Sequence, residues 1–165
     1  MAEIIRGINK FSNNVAARQL YLALGQSLGQ SGNTEFVSLD QSNIALRQWL
    51  FSKRLSFPEL VVENGSGLSR RERISAYHMG ELLVAAFHSS VMPEFMASLA
   101  ISSVDGTMRS RLRGSLVAGK AHMKTGTLND VSAVAGYVLD HNDRRSVVVF
   151  LVNHPNASNA RSAMD

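Results

Sequence analysis

The sequence contains no cysteine, and this absence excludes several kinds of site at once. A chain without thiols forms no disulfide bond, no thiolate metal site and no cysteine nucleophile, although its cellular compartment stays open. The five histidines, at positions 78, 88, 122, 141 and 154, show no ligand spacing such as His-x-x-x-His. We therefore expect neither a metal ion nor another cofactor.

Long hydrophobic runs are also missing. The sequence has no stretch of about 18 or more apolar residues that would span a membrane, and its start, MAEIIRGINK, lacks the charged, apolar and small-residue succession of a secretory signal. The chain of 165 residues is 45% hydrophobic and 18% charged, which is enough for one globular core, so we expect one domain or part of one. A net charge of +4 permits a polyanionic partner without requiring one.

Apolar residues recur at helical spacing in the first two thirds of the chain. They predict a helix from about Asn13 to about Leu24, with Ser12 upstream where an N-cap is expected. A second helix is predicted to begin near Asp40, a good capping residue. Its expected buried residues are Ile44, Ala45, Trp49 and Leu50.

Turn and capping signals indicate the next elements. A short apolar run at 60–62 predicts a strand that ends in the turn Asn64-Gly65-Ser66-Gly67. The string Ser69-Arg70-Arg71-Glu72 has the form of a capping box and predicts a helix over 74–88. Pro93 predicts a further short helix, because the first turn of a helix does not need the N–H that proline lacks.

The periodicity then changes to that of short strands. Runs rich in β-forming residues cover 122–125, 131–139 and 146–152, and turn residues divide them. The last two runs are apolar on both faces, so we expect helices to cover both faces of the sheet. Short connections make neighbouring strands antiparallel. The sequence thus predicts an α+β domain, with a helical segment at about 12–118 followed by antiparallel strands at about 120–153.

The string Lys124-Thr125-Gly126-Thr127 lies in the first of these strands. A lysine at a strand end is usually a surface residue that extends its ammonium to water. Here, however, Thr125 and Thr127 share one face of the strand and Lys124 lies on the other, while Gly126 lets another chain approach the backbone closely. A strand edge with a cation, two hydroxyls and free N–H groups suits an extended peptide that carries a carboxylate.

Lys-Thr-Gly is one of three signatures of penicillin-recognising serine enzymes, and the others are Ser-x-x-Lys and Ser-x-Asn. Ser12-Asn13-Asn14 matches the last of these, although Ser31-Gly32-Asn33 matches it too. Five strings occur in the family's order: INKFSNNVAARQL, ENGSGLSR, VDGTMRSRL, HMKTGTLNDVSAVAGYV and FLVNHPNA. Together they resemble the low-molecular-mass class C penicillin-binding proteins, the D-alanyl-D-alanine carboxypeptidase/endopeptidase family.

This resemblance implies a β-lactamase/transpeptidase-like fold, a periplasmic location, and peptidoglycan stem peptides and β-lactams as partners, with no role for nucleic acid. Catalytic roles fall on Ser12 as a proton relay, on Asn14 as a holder of the substrate amide, and on Lys124 as a source of positive potential. Thr125 and Thr127 would bind the terminal carboxylate, and the Thr127 N–H would form half of an oxyanion hole. The substrate-binding positions are Thr125, Gly126 and Thr127.

The nucleophile of the family is absent from these residues. No serine in the sequence is followed three positions later by lysine. The resemblance therefore implies a C-terminal part of the penicillin-binding domain, in which Met1 is not the natural start. We expect such a chain to be inactive alone. Three outcomes of the truncation stay open: the chain oligomerises, it exchanges elements with another copy, or it is an ordered remnant of a longer chain.

Two other patterns in the sequence are typical of different functions. Gly25-Gln26-Ser27-Leu28-Gly29 fits the nucleophile elbow Gly-x-Ser-x-Gly, but an elbow needs a strand before its serine and a helix is predicted there. Two arginine clusters, at 70, 71 and 73 and at 109, 111 and 113, would suit a polyanion, yet aromatic residues do not interleave with them and solvated faces explain them better. A non-catalytic muropeptide- or polyanion-binding module remains the alternative function.

Overall fold

The computed structural model describes residues 1–26 and 38–165. Over these residues the chain divides into two compact units. The first unit contains residues 1–12 and 76–165, and the second contains residues 13–75. Helices and an antiparallel sheet make the fold α+β, as expected from the sequence.

The sheet of the first unit has four antiparallel strands in the order β1-β2-β3-β4. Their bounds are β1 Ala100–Ile101, β2 Ala121–Leu128, β3 Val131–Leu139 and β4 Arg145–Asn153. The three long strands follow the predicted runs and extend them by up to four residues, because β-branched residues and short turns make a meander. The two-residue strand β1 was not expected, since it is too short to show a period.

Three longer helices accompany this sheet: α1 Ala2–Phe11, α4 Ala76–Phe87 and α5 Met92–Ser98. Pro93 lies in the first turn of α5, as the sequence predicts. One face of the sheet packs against α4 and α5 through a buried cluster of Leu83, Met96, Leu99 and Tyr137. The Tyr137 hydroxyl donates to the Leu83 carbonyl at 2.6 Å and so ties α4 to the strand.

The other face of the sheet has a different cover from the one expected. Its buried cluster consists of Ala100, Met108, Ala121, Met123 and Val134. Met108 comes from a single 3-10 turn at Gly106–Met108, and Met164 of the short helix α6 (Arg161–Met164) packs at the edge. Irregular chain and short helical turns, rather than long helices, therefore bury this face.

The second unit contains the helices α2 Asn14–Gln26 and α3 Leu39–Ser52. Ser38 and Gln41 form a capping box at the start of α3. Within α3, Ala45 and Leu50 are buried as expected, but Ile44 is 51% exposed and Trp49 is 43% exposed. The apolar surface of α3 is wider than the stripe it buries, so helical spacing alone could not identify the buried face.

Two local predictions in this unit are wrong. The predicted strand at 60–62 is reduced to one bridge between Val61 and Arg73. The predicted capping box does not form, because the Ser69 hydroxyl accepts from the Arg71 N–H two residues on and closes a turn. The helix begins only at Ala76.

Candidate active site

The side chains of Ser12 and Lys124 meet although 112 positions separate them. The Lys124 ammonium donates to the Ser12 hydroxyl at 3.0 Å and to the carbonyl of Thr125 at 2.7 Å. Both residues belong to the first unit, one at the end of α1 and the other on β2. The two signatures singled out in the sequence are thus brought together at this point.

The end of α1 presents the Ser12 hydroxyl through an unusual backbone conformation. Ser12 has φ 54 and ψ 49, the left-handed conformation that commonly ends a helix, and its N–H donates to the Ile8 carbonyl. A residue with a Cβ pays about 1–2 kcal/mol for this conformation. Such strained residues cluster at functional sites because the surrounding structure holds them there.

The Lys124 ammonium lies in a partly buried position. Burial lowers the pKa of Lys124 from its ordinary value, because removal of water disfavours the charged form. A hydroxyl within hydrogen-bond distance can accept a proton and pass on its own. A lysine whose pKa is lowered beside a hydroxyl is an arrangement suited to proton transfer.

The Thr125 side chain lies on the opposite face of β2 from Lys124. Its hydroxyl donates to the hydroxyl of Thr107 at 2.8 Å. Gly126 and Thr127 are exposed. A Cβ added at Gly126 would meet the Ala133 Cβ at an ordinary contact distance of 3.4 Å, so packing within the described chain does not require glycine there.

One edge of β2 is paired over only part of its length. β1 pairs with His122 and Met123, and from Lys124 to Leu128 no strand among residues 1–26 and 38–165 continues that pairing. The residues Lys124, Thr125, Gly126 and Thr127 therefore lie on an open strand edge. Such an edge can receive an extended peptide by backbone hydrogen bonding.

Asn14 is the first residue of α2 and belongs to the second unit. Its neighbour Asn13 accepts a hydrogen bond from the Ala16 N–H through its side chain, which satisfies a free donor of the first turn. The predicted role of Asn14 toward a substrate stays a prediction.

An ion pair that no sequence motif predicts lies next to this site. Lys10 is 9% exposed, and its ammonium donates to the Leu99 carbonyl at 3.0 Å and to the Asp105 carboxylate. Burial disfavours ionisation of Asp105, but hydrogen bonds from Lys10 and the Ile101 N–H outweigh it and leave the pKa of Asp105 below its usual value. Both residues occur in strings that carry the family resemblance, INKFSNN and VDGTMR.

His122 precedes Lys124 by two residues on the same face of β2. Its Nδ1 lies 3.1 Å from the Met96 carbonyl. Burial is the main cause of a lowered pKa of His122; the contact with the Met96 carbonyl opposes this shift, and the positive charges of Arg145 and Lys10 add to it.

Within residues 1–26 and 38–165, His, Asp and Glu side chains form no group of three or more that could hold a metal ion. Over the same residues, no helix combines the length and the apolar character that crossing a membrane requires. The hypothetical nucleophile elbow at 25–29 is preceded by α2 rather than a strand, and its Ser27 lies outside the described residues.

Comparison with known proteins identifies the family. A family model described as the D-Ala-D-Ala carboxypeptidase 3 (S13) family matches residues 1–165. The chain therefore belongs to this family, and the family that the five strings indicated is confirmed. A D-alanyl-D-alanine carboxypeptidase of Actinomadura sp. (strain R39) is 32% identical to the chain over 143 residues, which are 84% of this chain and 26% of that protein.

Solved structures support the fold. Penicillin-binding protein 4 of Haemophilus influenzae, in complex with a β-lactam, superposes with a TM-score of 0.83 at 23% identity, over 92% of this chain and 34% of that one. A predatory endopeptidase of Bdellovibrio bacteriovorus, acylated by penicillin G, superposes with a TM-score of 0.71 at 21% identity, over 99% of this chain and 41% of that one. The chain thus spans between 26% and 41% of the length of these relatives.

Proposed function

We propose that this chain carries the substrate-side groups of a serine-type D-Ala-D-Ala peptidase that acts on peptidoglycan stem peptides in the periplasm through an acyl-enzyme. The observation that carries the proposal is the hydrogen bond between Lys124 and Ser12 in a member of this family. A β-lactam would enter the same site as a mimic of the stem peptide.

In this proposal, Lys124 and Ser12 act as a pair. The Lys124 ammonium attracts the terminal carboxylate of the peptide and stabilises negative charge that develops nearby. The Ser12 hydroxyl accepts a proton and donates its own to the leaving amine of the substrate, so it acts as a proton relay. The lowered pKa of Lys124 makes its proton easier to move.

The open edge of β2 receives the substrate backbone. An extended stem peptide adds alongside residues 124–128 and forms backbone hydrogen bonds there. Thr125 and Thr127 supply hydroxyl donors for its terminal carboxylate, and the exposed Gly126 leaves room for its close approach. Asn14 holds the amide of the peptide.

The nucleophile of the reaction lies outside these 165 residues, because none of their serines has the spacing of the Ser-x-x-Lys signature. Residual binding groups without a nucleophile give only weak catalysis. We therefore expect that the chain alone neither hydrolyses a stem peptide nor forms a covalent adduct with a penicillin.

Two measurements test this function. On a denaturing gel, a fluorescent penicillin should label no band. In an NMR titration with a peptide that ends in D-Ala-D-Ala, shifts should centre on residues 124–127, and Lys124→Met should weaken binding. Lys120→Met is the matched control, because it removes the same charge at an exposed position just before β2.

A peptide with a terminal carboxamide gives a second control, since it lacks the charge that Lys124 attracts. A labelled band on the gel, or peptide binding that is equal in the Lys124 and Lys120 variants, would contradict the proposal.

The alternative is a module that binds muropeptides without catalysis, or one that binds polyanions. Arg111 is buried and pairs with Asp165, and Arg71 pairs with Glu63, so two of the clustered arginines already have anionic partners. The buried Arg111 also corrects the expectation that these clusters are solvated faces. A search of the parent gene for a Ser-x-x-Lys signature ahead of Ser12 separates the enzyme from the muropeptide-binding module.

Self-association belongs to the same proposal. Several large apolar side chains of the first unit are exposed, among them Phe11 at 71%, Leu116 at 87% and Phe150 at 43%. Exposed apolar surface favours association. Sedimentation velocity over a range of concentrations measures it, and a monomer at every concentration would contradict this part.

A further inference from the structure

The segment Asp105-Gly106-Thr107 touches both sides of the candidate site. On one side it meets Lys10, which lies two residues before Ser12 on α1. On the other side it meets Thr125, the residue that follows Lys124 on β2. Three consecutive residues thus connect the two elements whose side chains form the Ser12–Lys124 hydrogen bond.

The first contact is an ion pair. Asp105 accepts a hydrogen bond from the Lys10 ammonium, which also donates to the Leu99 carbonyl at 3.0 Å. The other carboxylate oxygen of Asp105 accepts from the Ile101 N–H at 2.8 Å. Asp105 therefore links the end of α1 to β1, beside the direct bonds of Lys10 to the Leu99 carbonyl and of Asn9 to the Ser98 hydroxyl.

The second contact is a close backbone approach. Gly106 has φ 54, and a Cβ built on it would lie 2.4 Å from the Lys10 carbonyl oxygen and 2.9 Å from the Ala100 Cβ. Neither neighbour is the end of a flexible side chain. Only glycine allows this turn to lie against the last turn of α1.

The third contact reaches the substrate side. The Thr107 and Thr125 hydroxyls are 2.8 Å apart. Each hydroxyl has one proton, and their mutual bond uses one of the two. In the structure Thr125 donates this proton. If the Thr107 hydroxyl rotates and donates instead, it holds the Thr125 oxygen in place and leaves the Thr125 proton for an external acceptor.

The segment is itself firmly held. The N–H groups of Val104 and Asp105 donate to the Ile101 carbonyl, and the Ser103 N–H donates to the Met108 carbonyl at 3.0 Å. Met108, the residue after Thr107, is fully buried in the core on that face of the sheet. A segment anchored in this way can fix the spacing of the elements that it touches.

We propose that Asp105-Gly106-Thr107 is a positioning segment of the site. It holds the end of α1 against β2 so that Ser12 reaches Lys124, and its Thr107 orients the Thr125 hydroxyl through their hydrogen bond. The proposal deepens the proposed function and rests on it for the role of the donor. The segment does not itself take part in the chemistry.

The first experiment compares two ion pairs of the first unit. Asp105→Asn removes the partner of Lys10, and the matched control Asp165→Asn removes the partner of the buried Arg111. NMR of chains with ¹⁵N-labelled lysine measures the pKa of Lys124 and the exchange of its ammonium protons. In folded Asp105→Asn, the pKa of Lys124 should rise toward the ordinary value, because water reaches the ammonium, and its protons should exchange faster.

The control should lower thermal stability yet leave both properties of Lys124 as in the wild type. A purely structural role for Asp105 would give that same pattern in both variants. An unchanged Lys124 pKa and unchanged proton exchange in folded Asp105→Asn would therefore overturn the proposal.

The second experiment stays informative even if Asp105→Asn fails to fold. Thr107→Val keeps the shape of the side chain and removes the hydroxyl, whereas Thr107→Ser keeps the hydroxyl. Valine leaves the Thr125 proton in place but removes the hydroxyl that orients it. The affinity for a D-Ala-D-Ala peptide should therefore fall roughly two- to tenfold in Thr107→Val, the range for one weakened hydrogen bond, and should remain at the wild-type value in Thr107→Ser. Equal affinity in the two variants would overturn the role of Thr107.

These readouts separate the two proposals. If the wild-type chain binds no such peptide, the proposed function fails, yet the Lys124 measurements still decide whether Asp105 positions Ser12. If the wild type binds the peptide but the pKa and proton exchange of Lys124 are unchanged in Asp105→Asn, the proposed function stands and the positioning proposal fails.

Discussion

Replacement of Tyr137 by phenylalanine offers a quantitative test of the sheet that carries Lys124. Tyr137 is 1% exposed, and its hydroxyl donates to the Leu83 carbonyl at 2.6 Å. Burial raises the pKa of Tyr137 from the ordinary 10.0 to about 12. The folded chain therefore keeps this proton at a pH where the unfolded chain has lost it.

The sign of the effect follows from linkage. Above the unfolded pKa, the unfolded state binds fewer protons than the folded state, so stability falls as pH rises. With a folded pKa of about 12, Tyr137 should remove about 1.3 kcal/mol of unfolding free energy between about pH 9 and about pH 11. Tyr137→Phe should lack this loss, although the missing hydrogen bond should cost it about 1 kcal/mol at neutral pH.

Urea unfolding at each pH, with linear extrapolation to water, measures the difference between the two chains. Other groups that titrate at high pH cancel in that difference. Tyr77→Phe is the matched control, because it removes the same hydroxyl from a side chain that is 71% exposed. The same alkaline slope in wild type and Tyr137→Phe would refute the argument.

Three further predictions concern backbone clearance, helix capping and acid stability. In Gly136→Ala, the new Cβ would lie 2.0 Å from the His122 carbonyl oxygen, so β2 must move and thermal unfolding should show a loss of roughly 1–3 kcal/mol. Ser38→Ala breaks the capping box with Gln41 and should cost about 1 kcal/mol in a urea titration, with no loss meaning that the cap is dispensable. Since the pKa of Asp105 is lowered from 3.8, its stabilisation should be complete above that value and vanish as pH falls through the folded pKa; a difference between wild type and Asp105→Asn that is constant down to strong acid would contradict this.

The sequence was most informative where a period was long and regular. The strands at 131–139 and 146–152 reappear as β3 and β4, because apolar residues occur on both faces of each and β-branched residues are frequent in β4. The helix expected at 13–24 appears as α2 Asn14–Gln26. Elements with little periodic signal were missed, as the two residues of β1 show.

Local signals failed where another partner was available. Ser69 had the spacing of a capping box, but its hydroxyl bonds the Arg71 N–H. Ser38 had an equally suitable partner in Gln41 and does form a box. The spacing of residues in the sequence indicates which hydrogen bonds are sterically possible, and the fold determines which of them form.

The candidate site shows the same division. Motif spacing identified Ser12 and Lys124, and their contact spans 112 positions of the chain. The ion pair of Lys10 with Asp105 spans 95 positions, and neither residue belongs to a signature. The residues around Lys10 and around Asp105 do not predict this ion pair, because it depends on how α1 packs beside β1. The two strings that contain these residues were already singled out together, and this was the one available signal.

At Ser12, backbone stability and the need for a hydroxyl favour different residues. Glycine or asparagine would adopt φ 54 more readily, so selection for a sturdier scaffold alone would move position 12 toward them. Either replacement would deprive the Lys124 ammonium of the hydroxyl it contacts. In laboratory evolution for thermostability, Ser12 is thus expected to be replaced early, with loss of activity. If Ser12 persists through such selection, its hydroxyl is required for function.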